Sequence, residues 1–122
     1  MDYNSYQEAV LNLKSDKFYF IDTETNCDLL HAAIGLVTES AEFIDAIKKA
    51  IYYGRPLDKT NLKEELGDVL WYLALGCHAL NTNIGEVMNR NIAKLQTRYP
   101  DKFTSEQALI RDYNKERKAL EG

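Results

Sequence analysis

At 122 residues the chain has the length of one ordinary domain. With 45% hydrophobic and 28% charged residues it reads as a folded, soluble protein and not as a disordered one. A net charge of -4 excludes the basic footprint of a protein that binds a nucleic acid polymer, while leaving room for a small anionic ligand.

Cys27 and Cys77 form no C-x-x-C pair and have no His at zinc spacing, so reduced, buried thiols are expected. The N-terminus has no basic-then-apolar signal pattern. The longest apolar-rich stretch, residues 69–80, is interrupted by Gly76 and His78 and falls short of the roughly 20 residues that span a bilayer. A cytoplasmic protein without a membrane partner is the expectation.

Tyr6, Val10 and Leu13 recur at helical spacing and predict a first helix over 4–14. The run "SDKFYFIDTETNCD" is read as a loop, with Thr25, Asn26 or Asp28 capping a long helix over 28–53. Gly54 and Pro56 end that helix. Thr60 caps a third helix from Asn61 to Asn81, and Asn83 with Glu86 forms a capping box that opens a fourth, through Arg98. Pro100 stops it, and a last polar helix runs through "SEQALIRDYNKERKAL". Strand patterning is nearly absent. The expected fold is one all-α domain over 1–122 with a small antiparallel bundle as its core.

Two helices carry acids three residues apart, a spacing that places both on one side. On the third helix, Glu65 and Asp68 lie inside an apolar arc with Leu62, Val69, Tyr72, Gly76 and Ala79. On the second, Glu39 and Glu42 lie beside Ala32, Gly35, Phe43 and Ala46, bordering a polar side with Thr38, Asp45 and Lys48. Four carboxylates aimed at one groove need protonation, basic partners or a cation. Hard oxygen donors without His or Cys suit Mg²⁺ or Mn²⁺, and Mg²⁺ recruits phosphates, which points to phosphate-ester chemistry. The competing reading is a solvated face, with Glu64 and Glu65 favouring the helix dipole. A di-iron bundle is disfavoured, because the only acid-x-x-His motif is Asp28 with His31.

The segments "HAAIGLVTESAEFIDAIKK", "YGRPLD", "LKEELGDVLWYLA" and "NIAKLQTRYPDKF" resemble the MazG-like branch of the all-α nucleoside triphosphate pyrophosphohydrolases, over about residues 29–103. The family signature, Glu-x-x-Glu followed after a gap by Glu-x-x-Asp, is met by Glu39, Glu42, Glu65 and Asp68. The resemblance implies cleavage of a nucleoside triphosphate between its α and β phosphates, with these four acids as catalytic Mg²⁺ ligands and Mn²⁺ as a substitute. It places Asn91, Lys94 and Arg98 of the fourth helix at the substrate's phosphates or sugar; Lys48 and Lys49 are further candidates for phosphate binding, against the reading of a solvated charge pair near a helix end.

Tyr72, one turn beyond Asp68, is a candidate for contact with base or ribose, and His31 is a softer candidate for substrate binding. Trp71 points away from the acids, toward core or a subunit interface. The third helix is apolar nearly all round, through Leu70, Trp71, Leu73, Leu75, Cys77 and Leu80. That favours an oligomer, and the family implies a homodimer or homotetramer. The alternative function is a non-catalytic helical interaction module that keeps the family fold; the intact set of four acids speaks for the enzyme.

Overall fold

The computed structural model describes residues 1–17, 19 and 23–122, so part of the expected loop "KFYFID" lies outside the described residues. The described chain forms helices α1 (Tyr3–Leu13), α2 (Glu24–Tyr53), α3 (Lys59–Ala79), α4 (Ile84–Arg98), α5 (Ser105–Leu109) and α6 (Tyr113–Glu121), with no strand among these residues. The all-α expectation is met.

The helix boundaries follow their caps. The cap of α2 is Thr23, upstream of the expected Thr25, Asn26 or Asp28; its hydroxyl accepts the Asn26 N–H at 3.2 Å. The other end closes on Gly54 at φ 68°, ψ 19°, a left-handed conformation that glycine adopts without a Cβ penalty. At α3 the cap is Asp58 and not Thr60: one carboxylate oxygen accepts the N–H groups of Thr60 and Asn61, at 3.0 and 3.1 Å. A charged acceptor satisfies two free N–H groups at once and starts the helix two residues sooner. Asn83 caps α4 by accepting the Glu86 N–H at 2.9 Å, but the Glu86 carboxylate takes the Thr82 hydroxyl, so only half of the capping box forms.

The expected last helix is broken into α5 and α6 around residues 110–112. Asp112 competes with continuous helix by accepting the Lys115 N–H at 3.0 Å, which begins a new helix there.

α2 and α3 pack antiparallel along their length, and α4 packs on α6; α3 touches α4 only lightly, and α1 makes no extended contact with another helix among the described residues. The expected single bundle is thus two helix pairs. Small residues explain the first pair. Ala32 lies against Gly76, and Gly35 against the ring of Tyr72. Leu29, Ala33 and Leu36 of α2 line one apolar hollow with Leu73 and Cys77 of α3. Close approach at the small residues leaves large ones outside, among them Leu70, Ile44 and Trp71, the last 59% exposed. Among the described residues, Ala32 and Cys77 are the buried apolar side chains, and Cys27 is exposed, contrary to the expectation of two buried thiols. No helix among the described residues is long and apolar enough to cross a membrane.

A methyl group added at Gly35 would overlap the body of the Tyr72 ring. Gly35→Ala is therefore expected to cost about 1–3 kcal/mol. Thermal denaturation followed by circular dichroism should show a fall of several degrees; an unchanged midpoint would mean that α2 and α3 do not pack this closely.

Candidate functional site

The antiparallel pairing of α2 with α3 sets Glu42 opposite Glu65, and one helical turn away Glu39 joins them. One carboxylate oxygen from each of Glu39, Glu42 and Glu65 lies within 4.8 Å of the other two. Burial grades the three: Glu42 is exposed, Glu39 half-buried and Glu65 6% exposed. Glu65 Oε1 accepts a hydrogen bond from Asn61 Nδ2 at 3.2 Å, whereas its buried Oε2 has no hydrogen-bond partner. A buried carboxylate oxygen left without a donor is costly, and a cation or a shared proton is what removes that cost.

The proton affinities respond accordingly. Loss of water around Glu39 pushes its carboxyl above the ordinary value, and the charge of Glu42 adds to this. The Glu42 carboxyl is pushed up first by its contact with the Glu65 carboxyl and then by the Glu65 charge. Asp68 is exposed and stands outside the tight trio, but its charge raises both Glu39 and Glu42. The structure thus brings three of the four expected acids into one cluster, with the fourth beside it.

The remaining candidates fall in several places. Tyr72 is half-buried, meeting His31 edge-on at 5.5 Å and Trp71 at 5.0 Å between ring centroids. His31 is exposed and also meets Trp71, so the three rings form one aromatic group across α2 and α3. Asn91 is exposed and lines a separate hollow with Arg90 and Glu121, away from the acids. Lys94 is half-buried on α4. Arg98 Nε donates to Glu116 Oε1 at 2.7 Å, so its guanidinium is occupied by a buried carboxylate of α6. Lys48 and Lys49 both pair with Asp45, at 3.3 and 2.7 Å.

Two residues near the acids escaped the sequence reading. Asn61 orients Glu65, and its position one turn ahead of that acid was the available sign. Arg55 lines a cleft of about 420 Å³ that also reaches Glu42 and Glu65.

Set against known proteins, residues 29–103 match the model of the MazG nucleotide pyrophosphohydrolase domain. The chain is also similar to "Gene 37 protein" of Mycobacterium phage L5, with 34% identity over 84 residues, covering 60% of this chain and 71% of the phage protein. No solved structure matches it.

Proposed function

Because the chain belongs to the MazG nucleotide pyrophosphohydrolase domain family, we propose that it hydrolyses a nucleoside triphosphate to the monophosphate and pyrophosphate, using a divalent cation. The observation that carries this reading is the buried, unpartnered Glu65 Oε2 inside a three-carboxylate cluster. The donor set is oxygen only, which suits Mg²⁺, with Mn²⁺ as a substitute. Glu39, Glu42 and Glu65 would hold the ion, with Asp68 beside them. When bound, the ion supplies positive charge against the phosphates and Lewis-acid polarisation of their oxygens.

The side chains do the rest. Asn61 fixes the Glu65 carboxylate, so the cluster is oriented before substrate arrives. Hydrolysis adds one water across the bridge between the α and β phosphates. Its oxygen bonds to phosphorus, the bridging bond breaks with its electrons leaving on the departing phosphate oxygen, and a carboxylate of the cluster takes the water's proton. Tyr72, which meets His31 edge-on, is assigned to the base or ribose one turn from Asp68. Lys94 of α4 is assigned to the substrate's phosphates or sugar, whereas Asn91, which lines a separate hollow with Arg90 and Glu121, is left out of the site. Arg98 is better described as an anchor for α6, since a phosphate would have to displace Glu116.

The reading extends to a homodimer or homotetramer. A compact monomer of 14.0 kDa exposes about 6,700 Å², whereas this chain alone exposes 10165 Å². A panel of ribo- and deoxyribonucleoside triphosphates, with pyrophosphate and orthophosphate detected separately, tests the activity. Orthophosphate as the product, or no turnover in Mg²⁺ or Mn²⁺, would overturn it.

Ion binding and acidity are coupled. In the cation-free protein Glu39 and Glu42 hold protons more tightly than unfolded carboxylates do. The folded state therefore binds more protons than the unfolded one between the ordinary value of 4.5 and the raised values. Across that window their contribution to stability falls as pH rises, and it is least favourable at neutral pH. A cation that binds only the folded state opposes this loss. Adding Mg²⁺ is expected to raise the melting temperature at pH 7 clearly more than at pH 5. Equal increments at the two values would separate ion binding from these acids.

A further inference from the structure

The cleft beside the acids has two unlike ends. Along α2 its wall is Glu42, Asp45, Ala46 and Lys49, one helix face at i, i+3, i+4 and i+7. Asn61 and Glu65 of α3 face them, and Arg55 and Pro56 of the connection between the helices close the end remote from Glu42. From Glu42 to Lys49 the helix axis advances about 10 Å. The volume of about 420 Å³ lies within the range of small-molecule sites, about 300–1,000 Å³.

The charges of this cleft are mostly spoken for. Asp45 is neutralised by Lys48 and Lys49. Asp58 caps α3 with its carboxylate. Glu42 and Glu65 belong to the acid cluster. Arg55 is different: among the described residues its guanidinium has neither an ion pair nor a side-chain hydrogen bond. Its backbone is nevertheless fixed, because its N–H donates to Lys49 O at 3.2 Å behind the left-handed Gly54, and Pro56 follows. A planar cation on a fixed backbone at the end of an acid-lined cleft is suited to an anion that also reaches the acids' cation, and a guanidinium matches phosphate oxygens two at a time.

We infer that Arg55 binds the terminal phosphates of the substrate, the portion released as pyrophosphate. The inference rests on the hydrolase reading above. The substrate's phosphates then span the cleft, with the scissile bridge at Glu39, Glu42 and Glu65 and the leaving group at Arg55. Because the cleft holds more acids than bases, inorganic pyrophosphate should bind only together with a divalent cation.

Calorimetric titration of the full chain with pyrophosphate in Mg²⁺, alongside release kinetics from nucleoside triphosphates, tests this. Arg55→Ala is expected to weaken pyrophosphate binding by about 10- to 100-fold and to leave Mn²⁺ affinity of the free protein and the melting temperature unchanged. Arg55→Lys should recover part of the loss, since it restores the charge without the paired donors. Pyrophosphate affinity and kcat/KM in Arg55→Ala equal to those of the wild type would overturn the inference while leaving the hydrolase reading intact. Metal-dependent pyrophosphate binding that Arg55→Ala weakens, in a wild-type protein that hydrolyses no triphosphate, would uphold the Arg55 site and overturn the hydrolase reading. A wild-type protein that binds no pyrophosphate in Mg²⁺ would overturn the assignment of Arg55.

Discussion

Glu65→Gln is expected to reduce turnover by about 100-fold or more, because it removes a charged oxygen donor whose cation contributes several kcal/mol of transition-state stabilisation. The same substitution should leave the cation-free protein as stable as before, or more so. Glu65 is buried with one oxygen unpartnered, and it faces Glu42. A glutamine of the same shape removes a like charge and offers an amide donor to the neighbouring carboxylate. Opposite movements of activity and stability distinguish a site held under electrostatic strain from a merely structural acid. Steady-state kinetics paired with melting curves in chelator would show it. A large stability loss in chelator, or activity near wild type, would remove Glu65 from the site.

The second large effect is expected far from the acids. Glu116 is 3% exposed and gathers two guanidinium groups: Arg98 Nε at 2.7 Å, and Arg111 through Nε at 3.0 Å and a second nitrogen at 3.3 Å. Glu116→Ala leaves two cations facing each other in a half-buried space, a loss greater than that of an exposed pair. α6 should detach from α4, with a melting temperature lower by about 5 °C or more and rapid amide exchange across residues 113–121. Retained protection of α6 in the variant would mean that apolar contacts, not the ion cluster, hold it. The pH dependence has the opposite sign to that of the acid cluster. Hydrogen bonding from Arg111, and then from Arg98, holds the Glu116 carboxyl below its ordinary value, despite its burial. Its contribution is complete above 4.5 and is lost as pH falls through the lowered value.

These two sites differ in how far they could be read from the chain. The meeting of Glu39, Glu42 and Glu65 was legible because their spacing is a property of single helices, and the family resemblance singled them out from an ordinary solvated face; Asp68, expected inside an apolar arc, is exposed beside the trio. The breaks at Gly54 with Pro56 and at Pro100 were legible for the same local reason. What escaped depends on tertiary pairing or on competition between neighbours. Glu116 meets Arg98 across 18 positions, so no periodicity connects them. Arg55 looks like an ordinary loop cation until α2 and α3 are laid antiparallel. The break before α6 came from Asp112, whose carboxylate outcompeted a helix pattern otherwise continuous. The bundle core was overestimated because apolar periodicity marks the faces that seek burial, not the ones that a single chain succeeds in burying.

The pairing of Glu42 with Glu65 also bears on how the protein reaches its native state. Among the described residues the α2–α3 hairpin holds the most extensive tertiary contact, made by helices adjacent in sequence, and is the natural candidate for the first long-range event in folding. The acids straddle that seam. If this hairpin closes first, closing it and assembling the site would be one step, which repulsion among the acids would oppose. A divalent cation held by these acids would then be expected to raise the refolding rate, which stopped-flow refolding with Mg²⁺ and with chelator would measure.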